Sequence, residues 1–193
     1  MNYLVHLYLS DPEPLCRLGN LTGDFVKGPL DASWHPELAR GLQQHRQVDS
    51  FAQNSPDFRH SKRRLAARFG HYRGILVDVY YDHLLARNWD QFADRPLEVF
   101  ARQVYRSIED HRHLLPADFR RVAPRMIKHD WLVAYRDPAA VGRALERLEQ
   151  RLSRPAPLAS GLGELLRNDA GLEADCEAFI KSARRHLQNF SRP

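Results

Sequence analysis

The sequence predicts an all-α fold, a helical bundle that forms one domain over residues 1–193. Its apolar residues recur mostly at spacings of three and four, which is the spacing of one helix face. No stretch alternates between apolar and polar residues as a half-buried strand would. At 193 residues and 43% hydrophobic composition, the chain is long and apolar enough to build one core.

Proline and glycine, which end helices, separate the first five predicted helices. Pro12 follows the first helix, and Gly28 with Pro29 follows the second. Pro56 follows the third helix, and Gly70 follows the fourth. The predicted ranges are 2–10, 14–27, 36–54, 57–69 and 72–89.

Four further helices are predicted in the second half, and a proline stands at or just before the beginning of the first three. The predicted ranges are 96–114, 118–136, 138–153 and 163–190. We expect breaks inside two of these helices, at Pro124 and near Gly171, because both residue types interrupt helices. The segment Arg154–Gly163, with two prolines and two glycines, is predicted to be a loop.

The chain carries no recognisable targeting or membrane-spanning signal. The N-terminus MNYLVHLYLS lacks a basic region and a small-residue cleavage site. No apolar run approaches the roughly 20 residues that a membrane span needs. Cys16 and Cys176 are far apart and lack C-x-x-C spacing, which argues against a disulfide framework and a cysteine zinc site. We therefore expect a cytoplasmic protein with no membrane partner.

The charge of the chain favours an anionic partner. Its formal net charge is +5 and its pI is about 9.5, and net charge bears on association rather than on fold. The partner could be nucleic acid, an acidic protein or a phosphorylated substrate. A basic module that binds nucleic acid is one hypothesis, but no reader motif stands out, so we expect no nucleic-acid partner. The chain also lacks the P-loop, G-x-S-x-G and G-x-G-x-x-G motifs.

Polar residues interrupt the apolar faces of two predicted helices. His45 and Asp49 lie on the apolar stripe of the third helix. Asp78 and Asp82 lie on that of the fifth, and His83 is adjacent. Residues four apart project from one helix face, so that a helix can place two ligands on one metal ion. Buried carboxylates are costly unless paired, so these residues need a cation, one another or an arginine.

Two more polar residues lie in apolar surroundings near the N-terminus. His6 lies within Tyr3–Leu9, and Asp24 follows Gly23 in a segment where glycine allows close backbone approach. Taken singly, each of these residues could be an ordinary core histidine or a carboxylate paired with arginine. Taken together, they predict a shared catalytic metal site. Imidazole and carboxylate ligands without cysteine suit Mn²⁺, Mg²⁺ or Fe²⁺, with Zn²⁺ as an alternative.

Several short motifs in a fixed order carry a resemblance to a known family. They are N-Y-L-V-H-L (2–7), G-N-L-T-G-D-F-V-K-G (19–28), H-R-Q-V-D (45–49), D-V-Y-Y-D-H-L-L-A-R-N-W (78–89) and W-L-V-A-Y-R-D (131–137). The chain resembles the bacterial acyl carrier protein phosphodiesterases, also called acyl carrier protein hydrolases. This likeness runs from the first helix to about Asp137. Beyond that point only general helical character matches.

The resemblance implies a Mn²⁺-dependent enzyme that removes the 4′-phosphopantetheine arm from holo-acyl carrier protein. It also implies a helical fold distantly related to the HD phosphohydrolases, and an HD-like enzyme acting on a nucleotide is the alternative hypothesis. The only literal His-Asp pair, His129-Asp130, lies outside both polar stripes, so the HD motif does not map the ligands. The apolar surroundings of these polar residues and their spacing instead indicate the metal ligands. The predicted ligands are His6, Asp24, His45, Asp49, Asp78 and Asp82.

The reaction that the resemblance implies breaks the bond between phosphorus and the serine oxygen of the carrier protein. We assign catalytic roles to Asp24, His45 and His83, with His45 or His83 as the acid that protonates the serine oxygen. An acidic carrier protein would dock on the basic fourth helix, unless that face is merely solvated. Its basic side chains are Arg59, Lys62, Arg63, Arg64 and Arg68. Arg17, Lys27 and Arg46 are predicted to hold phosphate.

Overall fold

The computed structural model describes residues 2–152 and 156–190, and ten α-helices occur in these residues. They are α1 (Tyr3–Leu9), α2 (Pro14–Thr22), α3 (Pro36–Asn54), α4 (Pro56–Arg64), α5 (Arg73–Arg87), α6 (Leu97–Asp110), α7 (Ala117–Lys128), α8 (Trp131–Ala134), α9 (Pro138–Glu149) and α10 (Gly161–Phe190). Short 3₁₀ turns join several of them, and no strand occurs in the described residues. The predicted all-α class is confirmed.

Proline begins four of these helices, each after a residue whose side chain caps the helix. For example, the Ser55 hydroxyl accepts from the N–H of Phe58 at the beginning of α4. The Asp137 carboxylate accepts from the N–H of Ala139 at the beginning of α9. These caps explain why proline spacing located the beginnings of the helices well.

Both predicted helix breaks are wrong. Pro124 lies inside α7 and is exposed, and the helix continues past it to Lys128. The break comes later, at Asp130, whose φ of 42° is left-handed and whose carboxylate accepts from the Tyr105 hydroxyl. Gly171 lies within the uninterrupted α10, where a Cβ would come within 2.6 Å of the Arg64 guanidinium. That glycine makes room for a side chain.

Several helices are shorter than predicted. The second predicted helix ends at Thr22 and continues only as a 3₁₀ turn, Gly23–Phe25. The fourth ends at Arg64, and the predicted range 118–136 divides into α7 and α8. Residue 153 of the predicted helix 138–153 and residues 154–155 of the predicted loop lie outside the described residues.

Glycine brings α2 and α3 into close contact. A Cβ on Gly41 would overlap the carbonyl oxygen of Cys16, and a Cβ on Gly19 would overlap that of Leu38. The two backbones can approach this closely only because neither residue has a side chain. The contact brings the middle of α2, including Asn20, against the face of α3 that carries His45.

One cluster of buried apolar side chains extends from Leu4 in α1 to Leu187 in α10. The helix α5 lies within it and buries Tyr80, Tyr81 and Leu84. Burial of so much aromatic and aliphatic area is the main term that stabilises such a fold. Among the described helices, none is both long enough and apolar enough to cross a bilayer.

Candidate metal centre

Three predicted site residues, from two helices, converge on one point. His6 lies on α1, while His45 and Asp49 lie one turn apart on α3. The Nε2 atom of His6 is 3.4 Å from one Asp49 oxygen, and that of His45 is 3.2 Å from the other. Each residue offers a ligand atom within 4.8 Å of those of the other two. This spacing allows one ion to contact all three.

Asp24 adds a second carboxylate at the edge of this group. It lies on the 3₁₀ turn after α2, and its carboxylate is 3.6 Å from the Nε2 atom of His45. A Cβ on the preceding Gly23 would overlap the ring of His45. The turn can therefore pass over the imidazole only with glycine at that position. The Asp24 side chain is 61% exposed, so the cluster opens to solvent on this side.

Asn20 holds both imidazole rings in place, and sequence reasoning missed it. Its side-chain oxygen accepts from the Nδ1 atom of His6, and its backbone oxygen accepts from that of His45, both at 2.8 Å. Its own amide donates to Gln44, which fixes which way the amide points. The available signal was an asparagine inside the apolar run Leu18–Leu21, a place where a buried amide needs partners.

The two rings stack, with centroids 3.9 Å apart and planes at 13°. Because both Nδ1 atoms donate to Asn20, both Nε2 atoms face Asp49 and are available as ligands. The Nε2 atom of His6 is fully buried and has no hydrogen-bond partner among the described residues. A bound cation would satisfy it. The residues present therefore fit a divalent cation.

The cluster carries opposite charges in the absence of a cation. Burial lowers the pKa of His6 to about 4, so this ring is neutral. Burial lowers the pKa of His45 as well, but the nearby carboxylates of Asp24 and Asp49 outweigh it and raise this pKa to about 9. Although burial opposes it, the neighbouring ring of His45 lowers the pKa of Asp49. A proton on His45 thus occupies the position that a cation would take, and the two compete.

Asp78 lies on α5, within electrostatic reach of the cluster. Burial raises its pKa to about 6, and the nearby carboxylates of Asp49 and Asp24 act in the same direction. Such crowding of carboxylates is typical of sites that take up a cation. Asp78 is not part of the three-residue group, so its role as a ligand stays a prediction.

Asp82, which spacing predicted as a metal ligand, contacts the backbone of α1. Its two oxygens accept from the backbone N–H groups of Leu4 and Val5, at 2.8 and 2.9 Å. Burial raises the pKa of this carboxyl to about 7. These bonds tie the first turn of α1 to α5, and they place His6 over α3. The contacts of Asp82 thus position α1; its role as a metal ligand stays a prediction, and the ligand set proposed below omits it.

His83 also lies apart from the three-residue group. Its Nδ1 atom donates to the backbone oxygen of Tyr135 at 2.7 Å, and burial lowers its pKa. Its Nε2 atom is buried and has no hydrogen-bond partner in the part of the chain described. The structure does not bring this residue to His6, His45 and Asp49, so the geometry gives no support to a role as the catalytic acid.

The basic side chains of the predicted fourth helix have different surroundings. Arg64 pairs with Asp175 at 2.8 Å, and Arg68 pairs with Glu164 at 3.4 Å, so both tie their segment to α10. Lys62 lies over the Phe58 ring. Arg59 and Arg63 are exposed. The predicted docking role of this helix stays a prediction.

The three side chains predicted to hold phosphate divide into two groups. Arg17 lies over the Phe100 ring, with a centroid distance of 5.2 Å. Arg46 donates to the backbone oxygen of Gly28 at 2.6 Å, and Lys27 is exposed beside it. Arg46 and Lys27 therefore flank the turn that carries Asp24, whereas Arg17 packs against α6.

Taken together, the fold and the cluster define a helical protein with a candidate site for a divalent cation. Residues 1–183 match the acyl carrier protein phosphodiesterase family, and the chain belongs to that family. The acyl carrier protein phosphodiesterase of Serratia proteamaculans (strain 568) is 32% identical over 180 residues, 93% of each chain. That of Pectobacterium atrosepticum is 30% identical over 166 residues, 86% of each chain. That of Escherichia coli O157:H7 is 30% identical over 178 residues, 90% of each chain.

No solved structure matches the chain. The distant likeness to the HD phosphohydrolases, which the sequence motifs suggested, therefore stays a prediction.

Proposed function

We propose that the chain hydrolyses the phosphodiester that links 4′-phosphopantetheine to a serine of holo-acyl carrier protein. The products are apo-acyl carrier protein and 4′-phosphopantetheine. The observation that carries this proposal is the convergence of His6, His45 and Asp49, oriented by Asn20, in a chain of this family.

His6, His45 and Asp49 would hold a divalent cation, with Asp24 and Asp78 as further oxygen ligands. The ligand types favour Mn²⁺, with Mg²⁺ and Fe²⁺ as alternatives. When bound, such a cation supplies a Lewis acid for the phosphoryl oxygens and lowers the pKa of water.

The protein's own residues would bind and orient the phosphodiester substrate. The open side of the cluster, at Asp24, is where a phosphodiester can approach. Arg46 and Lys27 flank this side and would attract the phosphate charge. His6 and His45 are buried and held by Asn20, so the site is rigid before the substrate arrives.

The bond changes balance without a further reactant. Water adds its oxygen to phosphorus, the bond from phosphorus to the serine oxygen breaks, and one proton of that water ends on the serine oxygen. The transferred phosphate leaves with the pantetheine arm.

Hydrolysis of holo-acyl carrier protein in ¹⁸O-water, followed by mass spectrometry of both products, tests the proposal. The label should appear on the released 4′-phosphopantetheine, and the serine of the apo-protein should carry none. Label in the serine, a dehydroalanine product or a phosphate retained on the protein would each overturn cleavage at phosphorus. Turnover of nucleotides, with none of the carrier protein, would favour the nucleotide phosphohydrolase hypothesis instead.

A further inference from the structure

A second feature, a basic groove, lies beside the candidate metal centre. It has a volume of about 670 Å³ and runs between α7 and α9. Its floor includes Trp131 of α8 and Tyr3 of α1, whose ring centroids are 6.2 Å apart. Tyr3 and His6 lie three residues apart on α1, and residues at that spacing share a face. Tyr3 also lies within electrostatic reach of Asp24, which places one end of the groove near the metal centre.

Five arginines line this groove, and no aspartate or glutamate does so in the part of the chain that the structure describes. They are Arg121, Arg125, Arg143, Arg147 and Arg151. All five are exposed. Two of them have weak carboxylate partners, Arg121 with Asp118 and Arg143 with Asp137, and both pairs are exposed to solvent. Exposed ion pairs of this kind contribute little to stability, so an external anion can replace the carboxylate in each pair.

The arrangement of the charges indicates what kind of anion the groove would bind. Arg121 and Arg125 are one turn apart on α7, and Arg143, Arg147 and Arg151 follow each other at the same interval from α9 onward. The charges thus form two rows, the longer spanning about 12 Å. A single phosphate would be held by side chains that converge on one point. Rows at helical spacing instead match carboxylates displayed on a protein surface, and Trp131 offers an apolar contact between them.

We propose that the groove between α7 and α9 is the docking surface for the substrate protein, and that it receives an acidic face of that protein. This inference rests on the proposed function, because it takes the carrier protein as the substrate. Docking here would place the serine that bears the arm near Asp24 and the cluster of His6, His45 and Asp49. The groove would act in recognition and leave the chemistry to that cluster.

The double variant Arg143→Glu/Arg147→Glu, which reverses two charges of the groove, tests the proposal. The matched control is Arg120→Glu/Lys128→Glu, which makes the same change of charge on α7, at exposed residues that do not line the groove. Affinity for apo-acyl carrier protein, which has no arm, is measured by calorimetry for each. We expect the groove variant to bind at least about tenfold more weakly and the control to stay within about twofold, as for loss of charge complementarity at a docking surface.

Steady-state kinetics on holo-acyl carrier protein gives a second readout. The groove variant should raise KM by about tenfold and change kcat by less than about twofold, and its KM should depend less on salt. Melting temperature and Mn²⁺ affinity, unchanged in both variants, show that the fold and the metal centre are intact. Equal KM and affinity in the groove variant and its control would overturn the proposal.

Two further measurements distinguish this proposal from its alternatives. If reversal at Arg59 and Arg63 raises KM while the groove variant does not, docking occurs on α4 and the groove proposal is wrong. If the groove variant loses affinity for free 4′-phosphopantetheine and not for the apo-protein, the groove holds the arm, which also overturns it. A wild-type chain that binds the carrier protein through the groove but releases no 4′-phosphopantetheine would support the docking surface and refute the proposed function.

Discussion

The side chain of Asn20 shows how a residue outside the predicted ligand set can organise the site. One asparagine supplies acceptors for the Nδ1 atoms of both His6 and His45, one from its side chain and one from its backbone. Removing the side chain therefore affects only one of the two rings directly. This separates its effect on His6 from a general loss of structure.

Asn20→Ala should weaken Mn²⁺ binding by about 10- to 100-fold, because the partner that orients a ligating histidine contributes that much to affinity. Calorimetric titration of the metal-free protein measures it. Asn54→Ala is the control, since the amide of Asn54 donates to the backbone oxygen of Ser50 at the exposed end of α3. Equal affinity for Mn²⁺ in the two variants, with both folded, would contradict the role given to Asn20.

Asp82 and Asp49 are both acidic residues of predicted polar stripes, but their surroundings predict opposite behaviour. Asp49→Asn should abolish metal-dependent turnover and leave the protein folded. Asp82→Asn should lower the free energy of unfolding by roughly 2 kcal/mol or more, because an amide NH₂ would face the N–H of Leu4 or Val5. Urea unfolding and kinetics of both variants decide the matter. If Asp82→Asn melts normally and Asp49→Asn does not, the two assignments are reversed.

The raised pKa of Asp82 also predicts a pH dependence. Burial raises it to about 7 in the folded state, against a value of about 4 in the unfolded chain. The folded state therefore binds the proton more tightly, and the contribution of this group to stability is present below pH 4 and lost as pH rises through 7. In chelator, the wild type should lose more stability between pH 5 and pH 8 than Asp82→Asn does. Parallel curves from urea unfolding would rule this out.

At the scale of the helices, proline and glycine patterns predicted where helices begin better than where they end. The boundaries of α3 agree with prediction because prolines bracket it at Pro36 and Pro56. The second helix ends early because Gly23 and Asp24 turn over His45, a contact between distant residues that no local pattern contains. For the same reason, spacing along α5 could not tell that Asp82 faces the backbone of α1.

The contact between α2 and α3 depends on glycine, and its replacement should be costly. Gly41→Ala places a methyl group against the Cys16 carbonyl and should lower the free energy of unfolding by about 2–4 kcal/mol. It should also weaken Mn²⁺ binding, because the shift moves Asn20 away from His45. Gly74→Ala on α5 is the control, since a Cβ there meets nothing within 4 Å. Thermal melts in which Gly41→Ala is no less stable than Gly74→Ala would refute this reading of the helix contact.

At the scale of the whole molecule, the candidate metal centre joins parts of the chain that are far apart in sequence. His6 comes from α1, Asp24 from the turn after α2, and His45 with Asp49 from α3. The apolar stripes of individual helices indicated which residues face inward, so His6, His45 and Asp49 could be singled out from the sequence. Which inward residues meet depends on how the helices pack, and that is fixed by contacts such as Gly41 on Cys16.

Because the cluster joins separate elements, a cation bound there should stabilise the fold. A ligand that binds only the folded state adds about 2.7 kcal/mol at a concentration one hundred times its dissociation constant. The melting temperature of the chelated protein should therefore rise on addition of Mn²⁺, and chelation should abolish turnover until Mn²⁺ returns. The shift should disappear in Asp49→Asn, while Asp57→Asn, a change in the first turn of α4, should keep it. Differential scanning calorimetry across a Mn²⁺ titration measures this. Full activity after chelation verified by elemental analysis, or an equal shift in Asp49→Asn, would show that the residues joined here do not form the metal centre.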